Sequence, residues 1–322
     1  EKDGDYQFNS QLNAFASVPW SKMTENSFRR ESLPFTVQGD KIMIQGNEAP
    51  RFADILHAET RRPMVQGFLN PGEPESVDVL KSIVEALVKQ TGAGKPTIYY
   101  SVPAVPLNTS NEALTYHEST VGHLLSELGY ESKPINEGLA VIFSELEDTN
   151  YTGIGVSFGG GLCNVAFAYL SMPGASFSIP KAGDFIDSSA ASITGELAGR
   201  VRIVKEEKFH FNGGYMDRLH QVLTVYYDDM IESVINGMRQ VFSDAKRVPK
   251  LNRPVPVVIS GGTASPDGFQ GRFEKALRTA DFPIQISEVR MAKDPMSATA
   301  KGALVAGLAE NTRRLSLPAP AD

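Results

Sequence analysis

Residues 153–167, GIGVSFGGGLCNVAF, decide how the rest of the chain is read. Ile154, Val156 and Phe158 alternate before three consecutive glycines, and Leu162, Asn164 and Ala166 alternate after them, which predicts two strands joined by a sharp turn. Three glycines exceed what a hairpin needs, and two readings stand. The first is steric, because glycine accepts positive φ and carries no Cβ. The second is functional, because successive unhindered N–H groups form a concave anion site suited to phosphate.

The chain has 322 residues, long for one core, so two domains are expected. Hydrophobic residues make up 41% and charged residues 21%, as in an ordinary globular protein. A net charge of −7 argues against nucleic-acid binding, which requires a basic face. The lone cysteine, Cys163, permits no intrachain disulfide and fits a reducing, cytoplasmic setting. With no activating base near it in sequence, it reads as a small buried hydrophobe rather than a reactive thiol. The five histidines (His57, His117, His123, His210 and His220) are scattered without zinc-ligand spacing, so no metal site built from protein ligands is expected. No apolar run approaches the ~20 residues of a transmembrane helix, and the first residues do not read as a signal peptide.

Outward from the hairpin, a strand is expected over 6–20 and another over 40–46. Apolar stripes at helical spacing predict helices over 75–91, 111–128, 184–205 and 216–243, the last with Leu219, Leu223, Tyr226, Met230, Val234, Met238 and Val241 on its core side. KPTIYYSVP, ASFSIP and VPVVISG read as strands, INEGLAVIFSEL and MSATAKGALVAGLAE as helices, and 312–322 as a polar tail. The halves share one plan, and the boundary falls near residue 140. The second half opens with strand, glycine turn, strand, whereas the first opens on what corresponds to the second strand of that plan. An opening strand and turn of roughly 10–20 residues is therefore expected upstream of Glu1.

The order of six segments resembles the actin-like ATPase superfamily, which includes the DnaK-type chaperones, sugar kinases and bacterial actins. RRPMVQGFL (61–69) is similar to the Arg-Pro-Met-Lys-Asp-Gly segment of MreB-like bacterial actins, and INEGLAVIFSEL resembles the Glu-Pro-x-Ala-Ala-Ala helix. The glycine hairpin resembles the second phosphate loop, and AGDFIDSS (182–189) the Gly-Gly-Asp-x-x-Asp segment. VVISGGTASPDGF (257–269) resembles the adenosine loop and MSATAKGALVAGL the closing helix. The resemblance implies an α/β fold of two ribonuclease-H-like domains around a nucleotide cleft, with the first strand and first phosphate loop missing from this chain. It divides the chain into 1–140, with a small insert near 20–50, 141–311, and the tail 312–322.

By the same resemblance the ligands are ATP and Mg²⁺. Gly159, Gly160 and Gly161 would face the β- and γ-phosphates, Gly261, Gly262 and Thr263 the adenosine side, and Gly183 and Asp184 the phosphates or ribose. Turn chemistry and an N-cap role for Asp184 are the alternatives for these positions. Glu137 matches the carboxylate that positions the attacking water, with Gly138 in place of the usual Pro. Ala140 and Ala303 would let two helices cross closely. The hairpin departs from the family pattern: Ser157 stands for the Asp that holds hydrated Mg²⁺, Leu162 for the Thr, and Asn164 where a second Asp often follows. A hydroxyl is a poorer ligand for that hard cation, so hydrolysis is expected to be weak.

Three functions follow. The first is an MreB-like cytoskeletal or assembly-type nucleotide switch, a slow ATPase capable of self-association into filaments. The second is a pseudo-ATPase scaffold or chaperone-like protein without turnover, and the third, less favoured, a small-molecule kinase. For assembly, the insert at 19–35 offers Trp20, Met23, Phe28, Leu33 and Phe35, either as exposed contacts or as the core of a small subdomain.

Overall fold

The computed structural model describes residues 6–56, 60–88, 95–244 and 248–316, so His57 and residues 317–322 lie outside the described residues. Packing divides the chain into two units, one of Glu1–Thr97 with Tyr116–Ser132 and one of Ile98–Thr115 with Lys133–Asp322. The chain thus crosses between units ahead of residue 140, where the motif order divides the halves.

In the first unit, β1 (Phe15–Pro19), β2 (Phe35–Gln38) and β3 (Lys41–Gln45) form an antiparallel sheet in the order β1-β3-β2. The strand expected over 6–20 is confined to its last third. Between β1 and β2 lies α1 (Lys22–Arg30), capped by Ser21, whose hydroxyl accepts from the Thr24 amide at 3.0 Å. The insert's apolar residues separate accordingly. Phe28 is buried edge-on against Phe35 and Phe52 and packs with Leu33, whereas Trp20 and Met23 are exposed. There follow α2 (Ala49–Leu56), the short strands β4 (Met64–Val65) and β5 (Phe68–Leu69), and α3 (Ser76–Leu87). Val79 and Ile83 of α3 pack with Phe15 and Met43. β6 (Thr97–Val102), α4 (Glu112–Glu127) and β7 (Glu131–Asn136) complete the first half of the chain. His117 of α4 is buried, accepts from the Leu69 amide through Nδ1, and is held by desolvation down to about 4, so it is neutral at physiological pH.

The second unit carries the complete pattern. After α5 (Glu137–Glu145) come β8 (Gly153–Phe158), β9 (Cys163–Tyr169) and β10 (Met172–Ile179), antiparallel in sequence order. The helices α6 (Gly183–Thr194), α7 (Ala198–Glu207) and α8 (Arg218–Phe242) lead to β11 (Val255–Ser260), α9 (Phe269–Thr279), β12 (Ile286–Met291) and α10 (Ala298–Ser316). The sheet runs β10-β9-β8-β11-β12, with β11 parallel to both β8 and β12. This is the ribonuclease-H-like order. The helix expected over 184–205 is two helices, because Gly195 adopts φ +77° and ends α6 in a left-handed cap. The expected tail from 312 is helical as far as Ser316, and β12, flanked by charged residues, escaped the strand pattern.

β8 is buried on both faces along its whole length, although its sequence alternates. One face meets α5, and glycine permits it: a Cβ at Gly155 would fall on the Gly138 carbonyl, and one at Gly138 would come 2.7 Å from the Ala166 amide nitrogen. Gly138 therefore lets the first turn of α5 lie directly on the sheet. The other face meets α8 and α9, where Phe158 packs edge-on against Phe269 and Phe273 at centroid distances of 5.0 and 5.6 Å. The buried stripe of α8 includes His220, Leu223, Tyr227, Met230, Val234, Met238 and Val241, with Tyr227 rather than Tyr226 fully enclosed. Asp217 caps its start by accepting from the His220 amide at 2.7 Å.

α5 also crosses α10. Ala140 and Ala303 are buried together, as the sequence suggested, but the closest approach is at Gly302, where a Cβ would coincide with the Ala140 carbonyl. Gly302→Ala is therefore expected to lower unfolding free energy by about 2–4 kcal/mol, as overpacking does when backbone must move. Urea denaturation followed by circular dichroism measures this, with Ala303→Ser as a mild control.

Candidate functional site

The expected site residues come together within the second unit, at the ends of β8 and β11. The hairpin closes through the Gly159 amide, which donates to the Leu162 carbonyl at 3.0 Å. Its tip rests on the start of α6: the Gly183 amide donates to the Gly159 carbonyl at 3.2 Å and the Asp184 amide to the Gly160 carbonyl at 2.8 Å. The first donors of a helix otherwise lack partners, so the tip supplies acceptors they need. Gly160 is exposed, and among the described residues the Gly160 and Gly161 amides have no protein acceptor.

The turn after β11 closes on the same point. Thr263 donates its hydroxyl to the Gly159 carbonyl at 2.7 Å. Gly261 adopts φ +94°, and a Cβ there would strike the Phe158 carbonyl, so only glycine fits. Its amide donates to the Pro295 carbonyl at 2.9 Å, and Met296 lies over Gly262. Gly183 is equally restricted, since a Cβ would sit 2.6 Å from the Thr263 hydroxyl and 3.2 Å from Lys205 Nζ. Thr263 and Gly183 thus act as ties between turns. The Gly160 and Gly161 amides of the tip are left for a ligand.

Glu137 begins α5, behind Asn136, whose side chain accepts from the Leu139 amide. Its carboxylate accepts from Asn164 Nδ2 at 2.9 Å and bonds the Ser157 hydroxyl. Ser157 and Asn164 are cross-strand partners on β8 and β9, which explains why they reach one carboxylate together. Asn164 is itself anchored, its Oδ1 accepting from the Ala104 amide at 2.8 Å. Burial raises Glu137 from its ordinary 4.5 to about 7 against the two hydrogen bonds that favour the anion. Cys163, next in the strand, is wholly buried and donates to the Lys181 carbonyl, and burial pushes its thiol up out of reactivity.

A phosphate ligand fits the tip: no Cβ, two available amides, and a hairpin fixed from behind. Mg²⁺ has a thinner donor set. Ser157 is neutral and committed to Glu137, and no cluster of three acidic, His or Cys residues exists among the described residues. Asp184 remains, its carboxylate 3.7–3.8 Å from the place a Gly160 Cβ would take. That is compatible with a cation that keeps most of its waters and binds phosphate as well. Asn164 is the functional residue that lies outside the expected binding set. The cross-strand pairing of Asn164 with Ser157 was the available signal for it.

The Volactin family model matches residues 1–307. The chain belongs to the Volactin family. Among solved structures, the MamK double helical filament superposes with a TM-score of 0.66 at 18% identity, covering 96% of this chain and 92% of that one. MreB 5 of Spiroplasma citri bound to AMPPNP gives 0.63 at 14% identity, covering 93% and 90%. The ethanolamine utilization protein EutJ from Carboxydothermus hydrogenoformans gives 0.52 at 17%, covering 77% and 80%. No curated protein sequence matches. The Volactin-family chain thus has the actin-like ATPase fold. Among its described residues no helix is long and apolar enough to cross a membrane.

The raised Glu137 value makes stability depend on pH. Below 4.5 the carboxyl is protonated in both folded and unfolded chains; between 4.5 and 7 the unfolded chain ionises first and draws the equilibrium toward itself; above 7 the loss is complete. Stability conferred by this group therefore falls as pH rises through that window. Glu137→Gln is expected to flatten the slope of unfolding free energy between pH 5 and 7.5 and to be more stable at pH 8 by about 1–3 kcal/mol. Chemical denaturation across that range reads both.

Proposed function

We propose that this chain is an actin-like cytoskeletal protein that binds ATP at the glycine hairpin, self-associates, and hydrolyses the nucleotide slowly. The observation that carries the reading is the bare tip at Gly160 and Gly161, two amides without protein acceptors among the described residues, on a turn clamped by α6 and by Thr263. Gly159, Gly160 and Gly161 hold the phosphates, with Asp184 beside them to order the water shell of Mg²⁺. Gly261 and Gly262 face the adenosine side, where Met296 gives an apolar surface. Bound Mg²⁺ supplies charge neutralisation at the phosphates. AMPPNP in the MreB 5 structure and in that of a non-polymerising MamK variant supports nucleotide binding here.

Slow turnover follows from two features of the chain's own residues. Ser157 brings no negative charge to hold hydrated metal, and Glu137 is half protonated at neutral pH, which removes its ability to accept a proton from water in that fraction. The scaffold reading shares the fold and differs in lacking turnover, with nucleotide bound statically or not at all. Isothermal titration tests the binding site: Mg-ATP should bind the wild type, and Gly160→Val should weaken binding at least tenfold. The valine Cβ itself is tolerated, with Asp184 oxygens no nearer than 3.7 Å, so the fold should survive. Equal affinity in the variant, or no heat in the wild type, refutes the assignment.

Self-association is supported by the filament state of the MamK relative. A head-to-tail contact whose rotation does not close yields a filament. Sedimentation and electron microscopy at tens of micromolar protein should show ATP-dependent assembly. A monomer with and without ATP favours the scaffold.

A further inference from the structure

Behind the hairpin lies an ion pair that the nucleotide reading leaves without a task. Lys205 on α7 and Asp187 on α6 meet at 2.8 Å, with side chains only 5% and 7% exposed. Burial pushes the Asp187 carboxyl above its ordinary value, and the Lys205 ammonium opposes that rise. Buried pairs of this kind add little net stability, because desolvation offsets their attraction. What they fix is geometry.

The geometry here leads to the glycines. Lys205 Nζ also donates to the Gly183 carbonyl at 3.1 Å. The Gly183 amide donates in turn to the Gly159 carbonyl, which also receives the Thr263 hydroxyl. Gly183 is enclosed between Thr263 Oγ1, Lys205 Nζ and the Gly160 Cα, the last 3.4 Å from where its Cβ would be. An unbroken series of hydrogen bonds thus runs from an ammonium on α7 to the hairpin tip.

We infer that the Lys205–Asp187 pair positions the glycine hairpin, gripping the start of α6 so that the tip amides are presented in one arrangement before any ligand arrives. Lys205 is a positioning residue and touches no ligand. Its effect on nucleotide affinity rests on the reading above; its effect on the hairpin does not. Preorganisation of this sort raises affinity by removing the ordering cost from the binding step.

The test replaces both charges, Lys205→Met with Asp187→Leu, so that no charge is left buried alone. Hydrogen exchange by mass spectrometry on the full chain without nucleotide is the primary reading. Peptides covering 158–163 and 182–186 are expected to exchange at least tenfold faster, while those from β11 and α8 keep their wild-type rates. Calorimetry with Mg-ATP is expected to show at least a tenfold loss of affinity. Unchanged hairpin exchange overturns the proposal, and so does a rise spread evenly over the second unit, which marks a purely structural pair. If the double variant is insoluble, the charge-conserving Lys205→Arg is read by the same criteria. A wild type that takes up no ATP while the hairpin loosens in the variant refutes the nucleotide reading and leaves the positioning role intact.

Discussion

The Gly159 carbonyl is the point on which this site depends. It receives the Gly183 amide and the Thr263 hydroxyl, and so joins the hairpin, the first turn of α6 and the turn after β11 in one place. Each of those three segments has backbone polar groups that need partners. Each meets its need with the others. The cost is paid in residue choice: glycine is obligatory at 183 and 261 because side-chain volume would separate the turns, and Thr263 must carry a hydroxyl.

The same economy governs the sheet beneath. β8 lies at the centre of five strands, with α5 pressed on one face through Gly138 and Gly155 and aromatic rings from α9 on the other. Its end cannot shift without disturbing both layers, so the turn beyond it starts from a fixed origin. Rigidity at the tip is inherited from packing below as well as from hydrogen bonds around it.

Much of this was legible in the sequence, for physical reasons. The glycine run, the buried strands around it and the stripe of α8 are periodic or compositional signals, and the order of motifs gave the actin-like fold. The role of Gly302 was not legible, because a glycine within a helix announces only lost propensity and its closeness to Ala140 is a tertiary fact. The break at Gly195 was visible in principle but outweighed by apolar spacing on either side. β12 was missed because Ser287 and Glu288 put two exposed polar residues side by side, which breaks the alternation. Ser157 and Asn164 looked like isolated losses of family carboxylates; the structure makes them one unit, two neutral donors facing a single acid.

That unit has an electrical consequence. With Glu137 raised to about 7, the protein in neutral buffer is a mixture of two species differing by one proton at the start of α5. The formal charge of −7 is therefore only one member of a pair, and small changes in acidity redistribute the population between a site with an anion at its base and one without. Glu137 makes the local field at the hairpin a function of the surrounding medium.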